Sequence, residues 1–186
     1  MLNTAADILR LIEADTWRMG VLRVAMTLNL PDCWIGAGFV RNLIWDELHG
    51  YEERTPLNDV DVIWFDRREP SAEKDDVLVA KLKASWPDVP WSVLNMARMH
   101  LPAGDPPYAS SIDGVRFWPE TATAVAVRCN SDRSLELAAP LGLSDLLDLR
   151  VRPTPSARER HPDAYRGRIA KKNWLRRWPR LRIETI

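Results

Sequence analysis

The sequence predicts an α/β fold, a mixed sheet flanked by helices, and three observations carry that prediction. A short apolar run, Cys33-Trp34-Ile35, enters a Gly36-Ala37-Gly38 turn and leads into apolar residues at helical spacing, Phe39, Val40, Leu43, Ile44 and Leu48. An alternating segment from Asp59 to Asp66 reads as a strand. Further helical and strand patterns alternate on both sides of this unit. At 186 residues the chain is long enough for one domain to bury its own core. A single domain over 1–186 is expected, with 156–186 as a basic C-terminal helical appendage.

The elements follow in order. Asn3 or Thr4 can cap a first helix, with Asp7 completing a capping box and Ile8, Leu9, Leu11 and Ile12 forming the apolar face. A second helical pattern runs from about Asp15 to Leu28 and stops at Pro31-Asp32. After the strand and glycine turn, the third helix ends at Gly50, a natural C-terminal stop. Residues 52–58 form a polar loop. In the strand after it, Val60, Val62 and Trp64 share one face, and Asp59, Asp61, Ile63 and Phe65 share the other.

Ser71 to Ala84 reads as a charged helix, and Trp91 to Asn95 as a strand that residues 96–100 either continue or leave. Pro102 through Pro107 is expected to be irregular. Thr121 to Arg128 alternates as a strand and, across the Asn130-Ser131-Asp132 turn, forms a hairpin with Leu135-Glu136-Leu137. Leu141 to Leu149 is a short helix capped by Ser144 and ended by Pro153 and Pro155. A last helix runs from about Asp163 to Trp174 or Arg177, with Pro179 blocking its extension.

Charge and composition exclude several classes. With 26 basic and 26 acidic residues the molecule has no overall field to collect polyanions. The basic residues nevertheless concentrate after Arg160, which leaves nucleic acid as a less favoured partner. Two cysteines, Cys33 and Cys129, do not make a disulfide framework and suit a reducing compartment. The first residues lack the basic and apolar runs of a secretory signal, and no segment has the length of a membrane span. The expected location is the cytoplasm, without a membrane partner.

The strongest chemical signal is Asp59-Val60-Asp61. Residues two apart on a strand point the same way, so both carboxylates can reach one metal ion. They would be costly on an otherwise apolar face unless hydrogen-bonded, protonated or metal-bound. Upstream, the turn at Gly36 and Gly38 lets backbone approach a phosphate, and the helix amino terminus supplies N–H groups and a favourable dipole. Arg41 and Asn42 lie in the first turns of that helix, and Arg41 is a phosphate or carboxylate partner by type. Asn95 falls on the Trp91 and Val93 side of its strand.

The run Ile35-Gly36-Ala37-Gly38-Phe39-Val40-Arg41-Asn42, followed by Gly50 and Asp59-Val60-Asp61-Val62, resembles the polymerase-beta-type nucleotidyltransferase superfamily. It is similar in particular to the Gly-Gly-x-Val-Arg-Asp portion of tRNA nucleotidyltransferases. The segments 37–46, 91–100, 118–123 and 174–181 resemble a bacterial family of nucleotidyltransferase proteins without a well-defined substrate, and that resemblance extends from end to end over nearly the whole chain. The resemblance implies a nucleotidyltransferase-like mixed sheet, Mg²⁺ held by Asp59 and Asp61, and an NTP whose triphosphate is held by Gly38 and neighbouring backbone; with the residues read above, the nucleotide site, for ATP first, is expected at Gly36, Gly38, Arg41, Asn42 and Asn95. The implied reaction moves a nucleoside monophosphate onto a hydroxyl of a small-molecule or protein acceptor. A catalytically silent nucleotide- or partner-binding module is the alternative.

Three departures bear on that choice. Ala37 stands where the superfamily usually has its first glycine. Ser92 falls where active members usually carry a third carboxylate, which leaves Glu120 or Asp88 as the acids available for that role. Leu94 and Met96 occupy places where polar side chains are expected.

Overall fold

The computed structural model describes residues 2–186. Its order begins with helices α1 (Ala5–Ala14) and α2 (Thr16–Met26), strand β1 (Trp34–Gly36), helix α3 (Gly38–His49), strand β2 (Val60–Trp64), helix α4 (Ala72–Ser85) and strand β3 (Trp91–Asn95). It continues with α5 (Met96–Ala103), α6 (Ser111–Val115), a 3-10 turn (Thr121–Thr123), β4 (Ala126–Cys129), β5 (Leu135–Ala138) and α7 (Ser144–Leu147). The last elements are β6 (Arg150–Val151), α8 (Pro155–Glu159), α9 (Pro162–Lys172), α10 (Trp174–Arg177) and β7 (Arg182–Ile183). No helix among the described residues is long and apolar enough to cross a membrane.

Five strands form a mixed sheet in the order β3-β2-β1-β4-β5. Only β2 and β3 run parallel; β1 is antiparallel to both β2 and β4, and β4 to β5. The parallel pair needs a crossover, which α4 supplies. Alternation sorts β2 as its sequence predicts: Val60, Val62 and Trp64 join the large core under α1 to α4, while Ile63 joins a smaller cluster with Trp34, Met96, Tyr108 and Val115. Asp61 therefore lies on the smaller cluster's face, the one covered by α5 and α6.

Several local expectations hold for the stated reasons. Thr4 and Asp7 make the reciprocal capping box at α1, and Gly50 ends α3 in the left-handed region at φ 70°. Others are corrected. The strand expected at 121–128 starts only at Ala126, because residues 121–123 coil into the 3-10 turn, where Ala124 N–H bonds to both Glu120 and Thr121 carbonyls. The expected end at Pro155 is a beginning: Thr154 Oγ1 accepts from Ala157 N–H and Pro155 opens α8. Ser144 is inside α7, whose cap is Leu143. The chain leaves β3 at once into α5, which carries Pro102 in its last turn and so extends into a stretch expected to be irregular.

The C-terminal segment is built into the core. Trp178 is fully buried and its Nε1 donates to Asp46 Oδ1 at 2.8 Å, while Trp174 and Trp178 pack edge-on against Trp45. Strand β7 then pairs in parallel with β6. These contacts hold α9 against the end of the sheet where α3 begins.

Candidate active site

The site starts from a backbone event. Strand β1 ends at Gly36 and α3 begins at Gly38, so one residue must reverse the chain. Ala37 does so at φ 52°, ψ −123°, a conformation that favours glycine. Its N–H still bonds to the Val125 carbonyl at 3.0 Å, which ties the turn to the start of the neighbouring strand β4. No side chain caps α3, so its first N–H groups face outward without a side-chain partner.

The two glycines serve different ends. A Cβ on Gly36 would sit 2.5 Å from Trp118 Cη2, so Gly36 is small to admit the Trp118 ring. A Cβ on Gly38 would meet Arg41 and Leu57 at 3.4 and 3.5 Å, ordinary contact distances, and would project into a cleft lined by Gly38, Arg41, Asn42, Asp59 and Lys172.

Asp59 is exposed just before β2, and Asp61 is half-buried within it. Neither carboxylate accepts a hydrogen bond or has a cation within ion-pair distance among the described residues. Burial, and then the neighbouring Asp59 charge, push the Asp61 carboxyl up to about 6. Arg168, Arg41 and Lys172 oppose that shift, which places three cations in the field of the two acids. In the same field burial and the charges of Arg168 and Arg41 lower the Lys172 pKa.

Arg41 is buried and rigidly held. It donates to Thr123 Oγ1 and Asn42 Oδ1, both at 2.9 Å, and its guanidinium lies over the Trp45 and Trp174 rings. Burial lowers its pKa to about 10, so it stays charged at neutral pH. Its Nε is buried without a partner, as is Glu120 Oε2.

Glu120 is fully buried and its other oxygen accepts from Arg168 Nε at 2.6 Å. The structure thus pairs it with a cation, and among the described residues no three His, Cys, Asp or Glu side chains are grouped to hold a metal. Ser92 is the β3 partner of Asp61 in the parallel register, so a serine occupies the strand position beside the aspartate. Asn95 stands three residues further along β3, opposite Trp64. Its side chain is taken up by Asp66, Glu69 and Ala97 backbone, fixing the β2–α4 loop and the start of α5.

Gly38, Arg41, Asn42, Asp59 and Asp61 are therefore brought together, whereas Asn95 is apart and Gly36 faces Trp118. Sequence reasoning missed Arg168 and Lys172. Their spacing of four residues on α9 puts both on one helix face, a signal of common direction that says nothing of what they face.

A helix amino terminus reached through a tight turn, two acidic side chains without protein partners and three cations in their field, set on a mixed sheet, are the arrangement of a nucleotidyltransferase-type α/β fold. The chain belongs to the nucleotidyltransferase family, whose model matches residues 23–183. One solved structure, described as revealing a CCA-adding enzyme head domain, shares 34% identity with a TM-score of 0.88, covering 100% of this chain and 98% of that one. A CCA-adding enzyme in complex with CTP aligns at 15% identity and TM-score 0.58, over 99% of this chain and 44% of the enzyme. The Thermotoga maritima CCA-adding enzyme complexed with tRNA aligns at 14% and 0.57, over 98% and 42%. These last two likenesses concern the fold, and the chain spans less than half the length of either enzyme. No curated protein matches the chain.

Proposed function

We propose that the protein is a Mg²⁺-dependent nucleotidyltransferase that moves a nucleoside monophosphate from an NTP to an acceptor hydroxyl. The observation that carries this reading is the pair Asp59 and Asp61, free of protein partners and set before Arg41, Arg168 and Lys172. Two carboxylates without hydrogen-bond or ion-pair partners fit a divalent cation by donor type, and the raised Asp61 pKa marks a charge whose burial the surrounding cations do not fully offset. When bound there, the metal supplies Lewis-acid stabilisation of phosphoryl charge.

The chain's own residues then have separable tasks. The α3 amino terminus and Gly38 accept the phosphate chain closely, Arg41 and Lys172 neutralise it, and Asp59 and Asp61 hold the cation beside it. CTP and ATP, the nucleotides in the solved CCA-adding complexes, are the donors to test first. Titration calorimetry of ATP and CTP with Mg²⁺ checks this: binding is expected in the wild-type chain and lost in the Asp59→Ala, Asp61→Ala double variant. Binding that ignored both substitutions would refute it.

A second reading, a silent nucleotide-binding module, is favoured by one observation, the placement of Ser92 beside Asp61 where a third acid would complete a two-metal site. It predicts nucleotide binding without turnover. Incorporation of labelled phosphate from an α-labelled NTP, abolished by Asp61→Ala, would eliminate it.

A further inference from the structure

We propose that the aromatic cavity on the α5–α9 side of Asp61 is the acceptor pocket, and that the acceptor is a neutral small-molecule alcohol with an aromatic or hydrocarbon body. The proposal rests on the transferase reading above and names the substrate class of that site.

Position is the first argument. A small depression at Asp61 is walled by Ile63, Leu94, Met96, Trp118 and Pro119, and by Arg168, whose guanidinium is paired with Glu120. Met96, Trp118 and Pro119 are also walls of a larger cavity of about 380 Å³ that extends between α5 and α9. The polar cleft with Gly38, Asp59 and Lys172 lies on the other side of the Arg41–Thr123 hydrogen bond, since Arg41 lines that cleft and Thr123 lines the Asp61 depression.

Reaction geometry is the second. In phosphoryl transfer the attacking and leaving oxygens lie roughly in line through phosphorus. With pyrophosphate leaving on the α3 side, the acceptor approaches from the opposite side, where the aromatic cavity is. The acceptor oxygen forms its bond to the α-phosphorus, the bond from that phosphorus to the pyrophosphate oxygen breaks, and the hydroxyl proton passes to solvent.

Chemistry is the third. Tyr108 and Phe117 stack with ring centroids 5.0 Å apart, and the Met96 and Met99 side chains line the same space. The cavity's one acid, Asp105, is already occupied: its oxygens accept from Tyr108 Oη, Arg160 and Ser156, and His161 Nε2 lies 3.4 Å away. The Tyr165 hydroxyl is likewise spent on the Val151 and Glu184 carbonyls. No unpaired charge lines this larger cavity to recognise an ionic group, and its volume sits at the small end of the range for small-molecule sites. Of the cations around the site, Lys172 and Arg177 line the phosphate cleft, and Arg168, which lines the Asp61 depression, is already paired with Glu120.

The test uses 2-phenylethanol as probe on the full chain. Saturation-transfer NMR should show it bound to the wild type, and interligand contacts should appear between its ring and Mg²⁺-ATP or Mg²⁺-CTP bound at the same time. Ala164→Trp from α9 and Ala103→Trp from α5 each fill the cavity from an exposed helix position. Each variant should weaken the probe by at least about tenfold with nucleotide affinity unchanged, in protein whose melting matches the wild type. A probe that binds both variants like the wild type overturns the proposal. Competition between probe and NTP overturns it by assigning the cavity to the base. Displacement of the probe by a short oligoribonucleotide does so in favour of a nucleic-acid acceptor. Absence of NTP binding in the wild type is separately recognisable and removes the transferase reading and this one together.

Discussion

Arg168 Nε donates to Glu120 Oε1 at 2.6 Å, joining residues 48 positions apart and fixing a C-terminal cation beside the β2 acids. Glu120 has no exposure at all, and Arg168 is 30% exposed in its side chain. A buried carboxylate that loses its partner retains its desolvation cost.

Arg168→Met should therefore destabilise the fold by about 3 kcal/mol, read by urea denaturation. Adding Glu120→Gln should recover most of that loss, because the double variant no longer buries an unpaired charge. Additive losses in the double-mutant cycle would show that the pair does not hold α9 in place.

Asp61 makes stability depend on pH in a direction that can be worked out. Its folded-state pKa of about 6 lies above the ordinary 3.8, so the folded chain holds the proton more tightly. Stability from this group is full in acid and is lost as pH rises from about 4 through about 6. Asp61→Asn should match the wild type near pH 4 and exceed it by about 2 kcal/mol at pH 7 or above. Mg²⁺ should raise the melting temperature of the wild type and leave that of the variant unchanged.

Ala37 occupies a conformation that costs a non-glycine residue about 1–3 kcal/mol. Ala37→Gly relieves it, against the extra freedom that glycine gives the unfolded chain. The net gain expected in chemical denaturation is about 1 kcal/mol, with nucleotide affinity retained.

The glycines on either side should separate stability from binding. Gly36→Ala drives a methyl into Trp118 and should cost about 2 kcal/mol as overpacking. Gly38→Ala meets only ordinary contacts, so melting should hold or rise. The new methyl enters the cleft proposed to hold the phosphates, and calorimetry should show ATP affinity reduced by about tenfold or more.

Much of the fold was legible because its signals are local. The capping box at Thr4, the two-faced β2 strand and the glycine stop at Gly50 each depend on a few adjacent residues, and the structure forms each one. The 121–128 segment misled because Thr and Ala alternate without any apolar contrast between faces. Its start coils so that Glu120 and Thr121 backbone can pair with Pro153 and Arg152. Asn95 misled because alternation locates a side chain on a face but does not reveal that neighbouring loops already take up its amide.

The sequence by itself determined the paired acids, the glycine turn and the helix that follows it, since residue spacing dictates direction along a strand and around a turn. Only the tertiary structure decided what faces them. Trp174 and Trp178 bury against Trp45, and that packing brings Arg168 and Lys172 from the end of the chain to carboxylates more than a hundred residues upstream. Charge acts through space, so cations that look like a separate basic tail in the sequence become part of the site once hydrophobic burial has placed their helix.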